Sequence, residues 1–413
     1  LDSKLLGLEQ YEGAPVEQIR GASRRALVNL VDLAVQEKVQ FVLIGGDLYD
    51  GDWRDFNTGL FLINHATRLR EAGIPLLMIA GNHDAANKMT RSLKLPENVK
   101  MFAAAQPETE ILREIDVAIH GQSFAQAEVM QDLSAHYPPP IRGCFNLGLL
   151  HTGMEGREGH SRYAPCNLES LKAKGYDYWA LGHIHQREII CEEPFVAFSG
   201  NIQGRHIRET GPKGCFLVTV DSSRQSFAKF VSLDVMRWAR GIVNLGGVAD
   251  TDEVLELAAE RIRQLQGEAG NYPLAIRLEF QGACAAHRQL LAHRESWINE
   301  FRGVTIDASN GRAWLEKVQF QTVEYSAGAQ PSIDESSLGE LHELFGLIRR
   351  EPQRLKDLVF DFSHASRKLP PELAHWRLDE LPIPPDVIEE AESLLLDRLL
   401  HPVTPVRKGK TQR

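Results

Sequence analysis

Asp47, Asn82, His83, His151, His183 and His185 carry side chains able to bind metal or move protons, and each stands at or just past the end of an apolar run. Asp47 follows Phe41-Val42-Leu43-Ile44-Gly45-Gly46, and Asn82-His83 follows Pro75-Leu76-Leu77-Met78-Ile79-Ala80-Gly81. His151 ends Leu147-Gly148-Leu149-Leu150, and His183-Ile184-His185 follows Tyr178-Trp179-Ala180-Leu181-Gly182. Histidine, aspartate and asparagine without thiolates make a mixed nitrogen and oxygen donor set, which suits Mn²⁺, Fe²⁺ or Zn²⁺. One carboxylate can bridge two ions, and Asp47 is the candidate. Two ions about 3.5–4 Å apart can clamp a phosphoryl group, generate hydroxide and stabilise the leaving oxygen. Singly, a His after a strand reads as a hydrogen-bonded core residue, and Gly-Asp or Gly-Asn as a turn. Their recurrence at four successive strand ends points to a metal site.

The elements that must position these residues follow from the surrounding pattern. A short run of branched residues bounded by glycine reads as a buried parallel strand, and open α/β folds place their sites at the carboxyl edge of such strands. Residues 16–37 are amphipathic, with Ala26, Leu27, Leu30, Val31 and Ala34 on one side; residues 55–71 form the next helical stretch. This strand–helix alternation predicts a parallel sheet. After Val99 the runs shorten, with strands predicted at 117–121, 145–150, 195–198, 215–220 and 229–231, and a second sheet packed on the first accounts for them. From residue 241 the order is strand (241–245), helix (251–266, Asp250 as N-cap), strand (274–280), helix (287–301) and strand (314–325), a small α+β unit. Residues 326–332 read as a linker; beyond it come amphipathic helices at 338–348, 352–360 and 385–400, and a basic end at 407–413. The expected fold is therefore α/β, two sheets flanked by helices, followed by a small α+β domain and a helical C-terminal tail.

Composition bounds the function. The 413 residues and their 43% hydrophobic share support two or three domains and a sizeable core. The net charge of −10 means that any nucleic-acid contact rests on a local patch or on metal ions. Five scattered cysteines, never spaced as CxxC, argue against a disulfide framework and a zinc–thiolate site. With no apolar run long enough for a bilayer and no signal peptide at the start, a soluble cytoplasmic protein without membrane contact is expected.

Gly46-Asp47-Leu48-Tyr49-Asp50, Gly81-Asn82-His83-Asp84, His151 and Gly182-His183-Ile184-His185 resemble the calcineurin-like metallophosphoesterases, and within them the SbcD-like or YhaO-like DNA repair exonucleases. The resemblance covers about residues 1–230. It implies a metallophosphoesterase sandwich (1–235), an α+β capping domain (236–326) and a helical partner-binding segment (333–413). It also implies that Asp47 bridges two divalent metals, Mn²⁺ foremost, with Asn82, His151 and His183 completing one site and His185 belonging to the other. His83 resembles the family's general acid, held by Asp84. Asp50 lies where some members carry a His, which leans toward the bacterial branch. The family opens with Asp-x-His at the end of its first strand. Leu1-Asp2-Ser3-Lys4 matches the residues that follow that motif, so a His directly before Leu1, an Asp two positions earlier and an apolar strand are expected upstream.

Weaker candidates surround this set. Ser199 to His206 resembles the loop after the family's metal strands, where Gln203, Arg205 and His206 could hold phosphate; an ordinary Gly-rich turn is the alternative. Lys88 and Arg91 could touch a DNA backbone, or could be a solvated helix face. The function expected is two-metal hydrolysis of DNA phosphodiesters, as exonuclease or endonuclease in repair. The C-terminal helices would grip an SMC-like ATPase, and a homodimer is compatible with the sequence. The rivals are a small-molecule phosphodiesterase or phosphatase, and a non-catalytic subunit that positions a partner on DNA.

Overall fold

The computed structural model describes residues 1, 21–49, 57–86, 94–154, 163–325 and 345–347. Contacts divide the chain into two compact units: Leu1–Arg240 with Leu265–Arg277 and Arg312–Glu316, and Gly241–Gln264 with Leu278–Gly311 and Lys317–Arg413.

Among the described residues the first unit runs through helix α1 (Ala22–Gln36), strand β1 (Val42–Ile44), helix α2 (Asn57–Glu71), strand β2 (Leu76–Met78), a short helix α3 (Asn82–Ala86) and strand β3 (Val99–Met101). Strands β1, β2 and β3 pair in that order, all parallel. The chain then builds a six-stranded mixed sheet from β4 (Glu108–Leu112), β5 (Val117–Gly121), β6 (Phe145–His151), β7 (Tyr178–Gly182), β8 (Glu188–Glu192) and β9 (Phe195–Phe198). Helix α4 (Leu168–Ala173) connects β6 to β7, and the spatial order is β4-β5-β6-β7-β9-β8. Strands β10 (Gly214–Val220) and β11 (Ser226–Ser232) form an antiparallel pair.

Strand period fixes the layering, because successive side chains leave a sheet on opposite faces. In β2, Leu76 and Met78 join Leu27, Val31 and Ala34 of α1 and Leu62, Ala66 and Leu69 of α2 in one core. Leu77, and Ile79 just past the strand, point the other way and meet Ile119, Leu147, Leu149, Tyr178, Phe195 and Ala197 of the larger sheet. That sheet alternates in turn: Leu150, Trp179, Leu181, Val196 and Phe198 face a third core with Leu133, Tyr137 and Leu171. The result is the expected two-sheet α/β sandwich covered on both outer faces.

Trp179 is wholly buried, and its ring occupies the space above Gly148, on the neighbouring strand opposite it. A methyl group at position 148 would overlap that ring. Gly148→Ala is expected to destabilise the protein by about 1–3 kcal/mol, the usual cost of overpacking a core. A shift of the urea unfolding midpoint without a change in slope checks it.

Strand β12 (Arg237–Asn244), helix α5 (Thr251–Ala269), strand β13 (Leu274–Cys284), helices α6 (His287–Ala292) and α7 (Arg294–Ala308), and strand β14 (Ala313–Glu324) follow. The three strands form a sheet in the order β12-β13-β14. Asp250 Oδ1 accepts the Asp252 N–H at 3.0 Å, the cap expected at the start of α5. The core of the second unit is aromatic: Phe280 stacks on Phe301 and on Phe320 at centroid distances of 4.5 and 5.5 Å. No helix among the described residues is long and apolar enough to cross a membrane, and all five cysteines are free thiols.

Candidate metal centre

The strand ends deliver their polar residues to one rim of the first unit. Asp47 follows β1, Asn82 opens α3 after β2, His151 ends β6, and His183 and His185 follow β7. Parallel β6 and β7 set His151 opposite Gly182, the residue before His183. Asp47 and His183 both adopt positive φ, 53° and 98°. Non-glycine residues held there cost about 1–3 kcal/mol each and cluster at functional sites.

The donor atoms converge closely. Asn82 Oδ1 lies 3.0 Å from His151 Nε2 and 3.2 Å from His183 Nδ1, and Asp47 Oδ2 lies 3.4 Å from His151 Nε2. Ligand atoms of Asp47, His151 and His183 all fall within 4.8 Å of one another. The outer contacts orient these atoms. His151, fully buried, has Nδ1 2.8 Å from the Gly45 carbonyl. A carbonyl only accepts, so Nδ1 carries the proton and the Nε2 lone pair turns inward, the usual state of a metal-binding imidazole. The His83 backbone N–H donates to Asp47 Oδ1 at 3.0 Å, which aims that carboxylate.

Electrostatics agree with a cation site. Burial opposes ionisation of Asp47, but His151 and the His83 N–H outweigh it and hold the carboxyl at about 2. Burial also disfavours a charged His151, yet Asp47 pushes that ring upward. The negative charge kept at Asp47 beside two imidazoles and an amide oxygen is what a divalent ion would meet there. The donor set, two imidazole nitrogens, an amide oxygen and a carboxylate, fits Mn²⁺, Fe²⁺ or Zn²⁺.

His185 lies on the same cavity as Asp47, His83 and His183 but outside the tight cluster. Its Nδ1 sits 2.6 Å from Glu209 Oε1. Leu1 lines that cavity too, its backbone nitrogen 2.6 Å from the Leu48 carbonyl oxygen. Asp84, expected to hold the His83 imidazole, is buried, and its oxygens accept the N–H groups of Leu48, Tyr49 and Gly81 at 3.2, 3.0 and 3.0 Å. Burial raises its pKa against those three hydrogen bonds. What this carboxyl clamps is the backbone after Asp47 and before Asn82.

Of the loop candidates, Gln203 needs correction. Gln203 is buried, and its two Nε2 hydrogens go to the carbonyls of Gly204 at 3.1 Å and Met236 at 2.8 Å. Its Oε1 accepts the Val235 N–H at 2.9 Å. With both donors used, Gln203 has none for phosphate and serves as a bracket in the loop. Arg205 Nη2 and His206 Nε2 lie 3.7 and 3.5 Å from Glu209 Oε1. Lys88, Arg91 and Asp50 lie outside the described residues, as does the 333–413 segment apart from 345–347.

Glu209 was not legible as a site residue, although an acid four positions after Arg205 in a basic, Gly-rich loop was a signal available to find it. Burial opposes its ionisation, but His185 and the Arg205 backbone N–H prevail and hold it at about 2. His120, by contrast, is a buried core residue between Thr109 Oγ1 and Asn146 Oδ1 at 2.8 and 3.1 Å.

Known proteins share this arrangement of sequence. The calcineurin-like phosphoesterase family model matches residues 20–187, a stretch holding Asp47, Asn82, His83, His151, His183 and His185. A second model, the middle domain of metallophosphoesterase YhaO, matches residues 238–323. The uncharacterized metallophosphoesterase YhaO of Bacillus subtilis (strain 168) is 31% identical over 357 residues, 84% of this chain and 83% of its own. The DNA double-strand break repair protein Mre11 of Saccharolobus solfataricus is 30% identical over 183 residues, 42% of this chain and 46% of its own. The SbcD component of the nuclease SbcCD of Staphylococcus epidermidis is 23% identical over 229 residues, 49% of this chain and 61% of its own.

Proposed function

This chain belongs to the calcineurin-like metallophosphoesterases, in the family of YhaO, and from that premise we propose that it is a metal-dependent phosphodiesterase that cuts DNA. The observation that carries the reading is the convergence of Asn82 Oδ1 on His151 Nε2 and His183 Nδ1 beside the Asp47 carboxylate. Asp47, Asn82, His151 and His183 would hold one divalent cation, and Asp47 with His185 would reach the other. When bound, such ions supply positive charge against phosphoryl oxygens and make a hydroxide nucleophile accessible near neutral pH. In our reading the metal is Mn²⁺.

The protein's own groups have separate tasks. Asp47 is aimed by the His83 N–H, and the loops bearing both residues are tied together by Asp84. The His83 side chain faces the same cavity as His185 and Asp47. An imidazole there can pass its proton to the departing oxygen near neutral pH. DNA is favoured as substrate because two of the similar proteins, Mre11 and SbcD, are by name a DNA double-strand break repair protein and a nuclease subunit. The 333–413 segment is proposed to hold an SMC-like ATPase partner.

The deciding experiment compares linear duplex DNA, a dinucleotide phosphodiester and a small phosphomonoester, each with Mn²⁺ and with a chelator. Cleavage of the DNA that disappears on metal removal is expected. Turnover of only the small esters would assign the protein to small-molecule phosphodiester or phosphomonoester hydrolysis. DNA binding without any cleavage would make it a positioning subunit.

A further inference from the structure

We propose that Glu209 is the positioning residue that makes His185 a ligand through Nε2, by holding the Nδ1–H of the ring; this rests on reading His185 as a ligand of the second cation. The carboxylate is itself immobilised. Its Oε2 accepts the Arg205 backbone N–H at 2.7 Å and the Asn201 side-chain N–H at 2.8 Å, which leaves Oε1 facing His185 Nδ1 at 2.6 Å. A carboxylate with those partners has no hydrogen to give, so the ring nitrogen is the donor. Arg205 Nη2 stands 3.4 Å from the same Nδ1, but two donors cannot share a hydrogen bond, and the shorter contact to Glu209 decides the tautomer. Nε2 is then the ring nitrogen with a lone pair to offer.

The backbone of His185 is gripped from the same side. Its carbonyl accepts the Asn201 N–H at 3.2 Å and the Lys213 ammonium at 3.3 Å. Lys213, like Glu209, is buried. The loop from Asn201 to Lys213 therefore fixes both the position of His185 and the direction of its ring. Carboxylate partners of metal-binding histidines set ring orientation and basicity in just this way.

Glutamine at position 209 makes a specific prediction. The Arg205 N–H belongs to the backbone and cannot turn, so the Gln carbonyl must take the Oε2 place. The amide NH₂ then faces His185 Nδ1 as a donor, the ring must accept there, and its proton moves to Nε2. In metal-free protein at alkaline pH, ¹⁵N NMR of the ring should show the Nδ1–H tautomer in the wild type and the Nε2–H tautomer in Glu209→Gln. Mn²⁺ titration should show the weaker of two equivalents lose about 10–100-fold in affinity in the variant, while the tighter one is unchanged. A wild-type ring already in the Nε2–H form would overturn the proposal without any variant having to fold. So would a Glu209→Gln protein that keeps the wild-type tautomer and both affinities. His185→Ala separates the two readings. If it binds both Mn²⁺ equivalents normally, His185 is not a ligand and the premise fails; if it loses one and Glu209→Gln loses none, the positioning role fails.

Discussion

His83→Ala is expected to lower the rate of phosphodiester cleavage by about 10²–10⁴-fold, the range for loss of a general acid, while both Mn²⁺ equivalents remain bound. The two effects separate because the contribution of residue 83 to the cation site runs through its backbone. The N–H that donates to Asp47 Oδ1 at 3.0 Å is present in any residue but proline. Residue 83 also lies inside α3, where alanine is the most favourable helix former. Asn82, Asp84 and the Gly81 turn therefore keep their places. Mn²⁺ titration beside single-turnover cleavage checks the prediction. Loss of one metal equivalent would make His83 a ligand and end its assignment as acid. A substrate with a leaving group that needs no proton should recover much of the lost rate.

The strand ends are readable in the sequence because two signals coincide there. Val117–Gly121 and Phe195–Phe198 have the bounds expected of them, since buried strands carry unbroken apolar runs and stop at polar or glycine residues. The edge strand Glu188–Glu192 is not: its ends are charged, it is largely solvated, and it has no sharp alternation to separate it from a loop. The expected helix over 287–301 is two helices broken at His293, whose ψ of 36° leaves the helical range, and no Pro or Gly marks the break. Side-chain roles follow the same rule. Asp47, Asn82, His151 and His183 announce themselves because each sits at the end of its own strand signal. Gln203 misleads because its partners, the backbone groups of Gly204, Val235 and Met236, meet only when the chain folds. Asp84 is readable from its motif but clamps backbone up to 36 residues away, and the contact of Glu209 with His185, 24 residues apart, does not follow from its spacing to Arg205.

Gly81→Ala should damage the cation site severely while leaving the hydrophobic cores of the first unit untouched. A Cβ on Gly81 would collide with Asp47 Oδ1 and lie 2.6 Å from His151 Cε1 and 2.8 Å from the Asp47 backbone nitrogen. None of these neighbours has room to retreat. Asp47 is held by the His83 N–H, and His151 by the Gly45 carbonyl at 2.8 Å. The Gly81 N–H itself is anchored to Asp84 Oδ2 at 3.0 Å. The added methyl therefore displaces the carboxylate proposed to bridge both cations, and a displacement of about 1 Å in a reacting constellation can cost about 10²-fold in rate. The expected result is a loss of at least that size in Mn²⁺-dependent cleavage, with weakened binding of both equivalents. Gly303→Ala is the matched control: nothing lies within 4 Å of a Cβ there, and the residue is inside α7. That variant should keep full activity and gain about 0.5–1 kcal/mol from the better helix former. Wild-type metal affinity in Gly81→Ala would mean that the loops between β1 and α3 can part without cost, and that the close approach of Gly81 to Asp47 does not hold the site.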